Sequence, residues 1–396
     1  MLWILLAITA ALFLAWNNGS NNAANAIGTI VGSGALPLRK ALILAALFEF
    51  IGAITFGQFV SRTLMKGIID ITVYQDYMTV VKGMIAALLA TGTWVIIATW
   101  LKIPMSISQG IVGGILGFGL ISAGVNIVNW NKVTIIITSW FLMPPLSCIF
   151  AYLLYKPYIK MFENKRLLRL AIYASLFTMV SLSTFLLSTD IMKNVAIAYL
   201  MLLSLAIGLL SISLYLIYDK LYIASKSSKE SLYLKSILLI ASTSMAFSHG
   251  AHDSANAAGP LSATIIALDE KQIPVSIEPL FETLILAGLG ISIGIISWGY
   301  RVVETVGERI TTLTYSSAFI AQFSASIVVI IITRLGIPVS TTSAIVGSIA
   351  GVGFAKGLRS VNIKLLLKIF AMWLLAAPVI AVIAIVYYLI LLSISI

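Results

Sequence analysis

The chain has 396 residues, 60% of them hydrophobic and 10% charged, with a mean hydropathy of +1.06, which excludes a soluble globular fold and indicates a polytopic helical membrane protein. Its formal net charge is +11, from 25 basic and 14 acidic residues. No basic run is long or mixed with aromatics, so the excess reads as cytoplasmic-loop bias and not as nucleic-acid binding; the single cysteine, Cys148, excludes an intrachain disulfide or a multi-thiolate metal site.

Residues 1–4 carry no basic stretch and no small-residue cleavage site follows, so 2–16 reads as a mature first span and not a signal peptide. This span is expected to break at Asn17-Asn18-Gly19-Ser20-Asn21-Asn22-Ala23-Ala24-Asn25-Ala26-Ile27-Gly28 and to end before Pro37 and Arg39-Lys40. Residues 41–60 form a full span with Glu49 near its middle, and 62–76 are a polar connection. Residues 78–101 form the next span, followed by Lys102-Ile103-Pro104-Met105-Ser106-Ile107-Ser108-Gln109 and a glycine-rich stretch over 110–119. The span at 132–155 contains Trp140 and Pro144-Pro145. A basic loop at 156–169, spans at 170–187 and 196–218, and a second basic loop at 220–235 lead to a second polar stretch at 248–260.

That stretch repeats the first. Aligning Asn25 with Asn256 pairs Gly19 with Gly250, Asn22 with Asp253 and Gly28 with Gly259. Phe48-Glu49 matches Phe281-Glu282, Ile103-Pro104-Met105-Ser106 matches Ile337-Pro338-Val339-Ser340, and Trp140 and Pro145 match Trp373 and Pro378. The chain therefore reads as a duplicated transporter: a first repeat over 1–160, two connecting spans over 161–235 and a second repeat over 236–396. The basic loops flank a pair of spans and so share one side, which the positive-inside rule makes cytoplasmic. Repeats of one fold that meet on that side must be inverted, with both termini outside and about twelve membrane segments. The fold expected is all-α, with two inverted-topology repeats and broken or re-entrant helices.

The chemistry sits in paired motifs. Proline followed by Ser/Thr starts a helix, and a helix start offers unpaired N–H groups and the positive dipole end, which suits a phosphate or sulfate oxyanion. Taken singly, such a motif reads as a capped helix start at the membrane surface. Two aligned copies favour an anion site built from Ser106, Ser108 and Gln109 with Ser340, Thr341, Thr342 and Ser343. Asn22, Asn25, Asp253 and Asn256 offer hard oxygen ligands, and unwound backbone beside them would add carbonyls, a combination suited to Na+; the alternative is an interhelical hydrogen-bond network. Glu49 and Glu282 are intramembrane carboxylates at matching positions, either ion ligands or architectural acceptors. His249 and His252 have no equivalent in the first copy and read as satisfied polar side chains. The glycines at 110, 113, 114, 117, 347 and 351 read as helix-packing positions. No lysine or arginine lies inside the motif cores, so positive charge must arrive with the anion as coupling ions, a physical argument for symport.

With these residues assembled, the chain resembles the inorganic phosphate transporter (PiT) family of sodium- or proton-coupled phosphate symporters. That family's Gly-x-Asn-Asp-x-Ala-Asn-Ala signature is matched by Gly19–Ala26 and Gly250–Ala257, its Pro-x-Ser-x-[Ser/Thr] helix starts by Pro104–Ser108 and Pro338–Thr342, and its paired glutamates by Glu49 and Glu282. The resemblance implies a secondary active, non-enzymatic plasma-membrane symporter carrying inorganic phosphate with Na+ and no other cofactor, with twelve segments, inverted repeats and both termini outside. Asn22 stands for the first motif's aspartate, and His252 for the second motif's first asparagine. Gln109 and Ser343 stand where a histidine often follows, which favours Na+ over H+ coupling. Proton-coupled phosphate or sulfate transport is the alternative within the class. A passive anion channel would need a continuous polar stripe, and an intramembrane enzyme would need paired aspartates or an arginine clamp. A homodimer is compatible with the sequence.

Overall fold

The structure, a computed structural model, describes residues 1–65, 67–192, 194–223, 229–274, 279–334 and 340–394. The described residues form α1 (Leu2–Gly32), α2 (Leu38–Met65), α3 (Tyr77–Trp100), α4 (Ile107–Ala123), α5 (Trp130–Glu163), α6 (Lys165–Ile191) and α7 (Ile197–Tyr218). They continue as α8 (Lys229–Glu270), α9 (Phe281–Trp298), α10 (Tyr300–Glu304), α11 (Tyr315–Arg334), α12 (Thr341–Lys356) and α13 (Ile363–Ser393). Among the described residues, nine helices are long and apolar enough to cross a membrane. This is the all-α membrane fold expected from composition. The α4 helix has 17 residues and α12 has 16, so at about 1.5 Å per residue neither matches a bilayer core of roughly 30 Å.

Two expectations about the polar stretches do not hold. The first helix is not broken: α1 runs through Asn17–Gly28 as one helix of 31 residues. Nor is the second stretch unwound: α8 runs through 248–260 as one helix of 42 residues with Pro260 inside it. Asn18, Ser20, Asn21, Asn22, Asn25, His249 and Asp253 find partners on other helices, so the backbone need not unwind to satisfy them, and the alanines between them favour helix. Pro260 has no N–H, however, and so releases the Asn256 carbonyl, four residues earlier, from its helical bond. The basic stretch at 156–169 is likewise helical rather than a loop. It joins the end of α5 to the start of α6, where the Asn164 side chain caps by accepting from the N–H groups of Arg166 at 3.0 Å and Leu167 at 3.3 Å.

The packing exchanges partners between the two halves of the chain. Helix α1 packs on α9 and α8 on α2; α4 packs on α13 and α12 on α5. Glycines allow these close approaches, and they come in reciprocal pairs. Gly52 has no room for a Cβ against the Phe247 carbonyl, and Gly294 has none against the Trp16 carbonyl; Phe247 and Trp16 are matched residues of α8 and α1. Gly113 abuts the Ala377 carbonyl and Gly347 that of Pro144 in the same way.

The same contacts correct one alignment. Gly250 abuts the Glu49 carbonyl and its partner Gly19 abuts the Ile291 carbonyl, so the structural counterpart of Glu49 is Ile291, not Glu282. By the same match Leu38, which opens α2, corresponds to Leu280, just before α9, so Glu282 falls in a first turn and not in mid-helix. Gly52→Ala and Gly294→Ala should therefore each destabilise the protein by about 1–3 kcal/mol, the usual cost of overpacking. Thermal unfolding in detergent checks this, with similar losses expected in both.

Candidate functional site

Helices α1 and α8 place two belts of small and polar residues side by side, fully buried. Asn22 Nδ2 donates to Asp253 Oδ2 at 2.9 Å and to Asn18 Oδ1 at 3.1 Å, and Asn18 Nδ2 donates to the Asp253 carbonyl at 3.2 Å. Asn21 reaches the other way. Its Nδ2 donates to Thr99 Oγ1 at 2.9 Å and to the Ile103 carbonyl at 3.0 Å, while its Oδ1 accepts from the Met105 N–H at 2.6 Å. The non-helical segment between α3 and α4 is thus clamped to α1, and Trp373 Nε1 holds the Pro104 carbonyl from α13 at 2.8 Å. This clamp places the start of α4 beside the polar belts.

The start of α12 meets the same place. Asn25 Nδ2 donates to Thr342 Oγ1 at 2.8 Å, and the Thr342 hydroxyl lies 3.0 Å from the Met105 carbonyl and 3.3 Å from Asn22 Oδ1. One hydroxyl therefore joins α12, α1 and the segment leading into α4. Ser106, Ser108, Gln109, Ser340, Thr341, Thr342 and Ser343 are all buried. Asn22, Asn25, Asp253, Asn256 and Glu49 are buried too. Pro338 lies outside the described residues.

Glu282 does not join them. It is exposed in the first turn of α9, so the expectation of a matched intramembrane pair fails for it. His249, by contrast, is central. Its Nδ1 lies 3.0 Å from Glu49 Oε2, and its Nε2 lies 3.2 Å from Asp253 Oδ2 and 3.4 Å from Asn25 Nδ2. Both carboxylates are satisfied when each ring nitrogen carries a hydrogen, and the ring is then a cation inside the site. The sequence did carry a signal: His249 and Asp253 are four apart, which on a continuous helix is one face. Reading the stretch as unwound hid it. Gln322 on α11 is also newly placed, donating to the Asn25 carbonyl at 3.3 Å and accepting from Thr29 Oγ1 at 2.8 Å.

The two helix starts differ in what they leave free. At α12, Ser340 Oγ caps the helix by accepting from the Ser343 N–H at 3.1 Å, and it lies 2.8 Å from Ser343 Oγ. At α4, Ser106 is the N-cap residue but its side chain makes no cap bond. Ser106 Oγ, Gln109 Oε1, Asn25 Oδ1, Glu49 Oε1 and both amide atoms of Asn256 have no hydrogen-bond partner among the described residues. Unanswered polar atoms at membrane depth are costly, and here they lie on the α4 start, on α2 and on the polar belts of α1 and α8. They form a set of donors for an anion and oxygens for a cation. Removing the bridging ring should expose that cost: His249→Ala leaves Glu49 and Asp253 buried and facing each other without it. A loss of about 3–5 kcal/mol is expected, measured as a lowered unfolding transition in detergent.

Known proteins resemble this chain over nearly its whole length. A model of the phosphate transporter family matches residues 18–384. A protein of Pyrococcus abyssi, provisionally described as a phosphate permease, is 36% identical over 95% of this chain and 95% of its own. One of Haemophilus influenzae with the same description is 33% identical, covering 98% of this chain and 96% of its own. A solved structure described as the sodium-dependent phosphate transporter superposes with a TM-score of 0.93 at 34% identity, over 100% of both chains. A membrane protein with paired Gly-x-x-[Asn/Asp]-x-Ala-Asn-Ala helices and two buried helix starts, matched over nearly its whole length, belongs to the phosphate transporter family.

Proposed function

We propose that the protein is a secondary active symporter that carries inorganic phosphate into the cell together with Na+. The observation that carries this reading is the meeting of an open helix start with a buried, carboxylate-containing oxygen cluster. The phosphate oxygens are received by the N–H groups and hydroxyls at the α4 and α12 starts, through Ser106, Ser108, Gln109, Ser340, Thr341, Thr342 and Ser343. Na+ is received by oxygens of Asn22, Asn25, Asp253, Asn256 and Glu49, with the Asn256 carbonyl released by Pro260 as a further ligand. Glu49 and Asp253 are offset by the His249 ring between them and at most by His252 beside Asp253, so the site has no surplus positive charge for an anion. An anion entering it needs accompanying cations, and the coupling is a charge requirement. Asp253 brings a full charge where Asn22 brings a dipole, so Asp253 carries most of it. The sodium-dependent character of the solved relative supports this assignment.

The reciprocal packing of the halves supports two inverted repeats, 1–160 and 236–396, and the basic residues over 156–169 and 220–235 support both termini outside the plasma membrane. A cysteine at Lys160, in a Cys148→Ser background, should then react with an impermeant reagent only from the cytoplasmic side; reaction from outside in intact cells would reverse the orientation.

His249 between two carboxylates favours one second reading, coupling to H+. Uptake of labelled phosphate into proteoliposomes separates the two. An inward Na+ gradient at equal pH should drive accumulation, and an inward proton gradient without Na+ should not. The opposite result assigns the coupling to protons. Ser106→Ala should weaken phosphate binding by about 1–2 kcal/mol, the loss of one hydrogen bond to a charged group. Asp253→Asn should raise the Na+ concentration needed for half-maximal uptake, and phosphate and Na+ should tighten each other's binding by the same factor.

A further inference from the structure

Helix α3 stops on a lysine where glycine is the usual residue. The Lys102 N–H donates to the Thr99 carbonyl at 3.0 Å and the Ile103 N–H to that of Ala98 at 2.9 Å, the paired bonds of a left-handed helix stop. Lys102 accordingly has a φ of 58, a conformation that glycine takes freely and lysine takes at a steric cost. What the lysine brings to this turn is its side chain. Its Nζ lies 3.7 Å from Glu304 Oε2, at the end of α10.

Glu304 is itself held. Its other oxygen, Oε1, accepts from Arg309 Nη2 at 2.7 Å and from Arg309 Nε at 3.1 Å. The hydrogen bonds from Arg309, with Lys102 adding to them, keep the Glu304 carboxyl below the usual carboxylate range, so it is ionised at neutral pH. Arg309 closes a π-helical turn, Thr305–Arg309, and that turn is seated on the end of α1. Gly32, the last residue of α1, has no room for a Cβ against the Gly307 carbonyl, nor has Gly307 against that of Gly28. One partner of the ion pair is thus fixed to the end of α1, and the other stands on the turn that leads into α4. The Lys102 and Glu304 side chains are 42% and 45% exposed. Ile103, Met105 and Ser106, next along the chain, are 1%, 0% and 3% exposed. The boundary between solvent and the buried start of α4 falls at this pair. It lies toward the end of α1 away from Leu2, which the orientation proposed above makes the cytoplasmic side.

We propose that Lys102 and Glu304 form a latch that holds the α3–α4 turn closed toward the cytoplasm, and that inward opening of the site requires this pair to part. The latch rests on the transport reading for its purpose and adds to it a moving contact. An exposed ion pair is weak, which suits a contact that must break in every cycle. The buried bonds from Asn21 to the same turn are not exposed to water in this way and hold its inner side.

The test is the access of water to the closed side. In the full-length protein with Cys148→Ser, a cysteine is placed at Ile103 and, separately, at Met105, and its reaction with an impermeant thiol reagent added at the cytoplasmic face is timed against a cysteine at Lys160. Glu304→Gln and Lys102→Gly should each speed the reaction by about 2–5-fold, the loosening that loss of one exposed pair allows. These substitutions change the local charge in opposite senses, so a shared acceleration reports opening and not attraction of the reagent. Lys102→Gly also relieves the left-handed lysine, so it should not lower the unfolding transition. The double variant should react no faster than the faster single one, because both remove the same contact. Unchanged rates in both single variants, effects that multiply in the double variant, or acceleration only from the outer face each overturn the latch. The reporter needs no phosphate, so a protein that fails to take up phosphate would remove the transport reading without touching this result.

Discussion

A polar side chain in the middle of a membrane helix has no water to turn to, so each one must be answered by another part of the protein. That constraint organises this structure. Asn21, in α1, answers the Ile103 carbonyl and the Met105 N–H of the segment before α4 and the Thr99 hydroxyl of α3, and in doing so sets where α4 begins. Thr342 answers Asn25, Asn22 and the Met105 carbonyl, and sets where α12 begins. The two helix starts are held at depth by these bonds, not by the length of the helices, which are too short to span.

The asparagines reach their partners only because the helices approach closely. Gly19 and Gly250 bring the polar belts of α1 and α8 against the backbones of α9 and α2. Because each glycine contact has a reciprocal partner in the other half, one packing rule is used twice and the polar residues of both halves converge. Membrane helices gain little from burying apolar surface against one another, so small residues and interhelical hydrogen bonds carry the association. Here the residues that hold the helices together are also those that line the site.

The two halves share a backbone plan but not a chemistry. His249 stands where the first half has Asn18, and Asp253 where it has Asn22. Glu49 faces His249, while its structural counterpart in the second half is the apolar Ile291. Among the described residues, the titratable groups of the cluster are thus one carboxylate of the first half, and a carboxylate and the imidazoles of His249 and His252 of the second. The helix starts divide in the same manner, with α12 capped and α4 open. A symmetric frame holding an unsymmetric set of charges can bind an anion and a cation side by side without presenting the same face to each.

The amino-acid sequence by itself determined the membrane fold, the recurrence of the motifs and the residues of the two polar stretches. Apolar length and motif recurrence are local properties, and no packing is needed to read them. The residues at both helix starts and the buried set Asn22, Asn25, Asp253, Asn256 and Glu49 were legible for the same reason. Only the tertiary structure decided the rest. Whether Asn17–Gly28 unwinds depends on whether its side chains have partners, and those lie on α3, α8, α9 and α12, far away in sequence. Whether Glu282 is a ligand depends on where α9 begins, which its glycine contacts with α1 set and the residue pattern does not. His249 looked unpaired because its two carboxylates come from different places: one lies a helical turn away, visible only if the stretch is helical, and the other lies on α2. A hydrogen bond between elements belongs to their packing, and the packing is fixed by the summed close approaches of helices, which a linear pattern of residues does not contain.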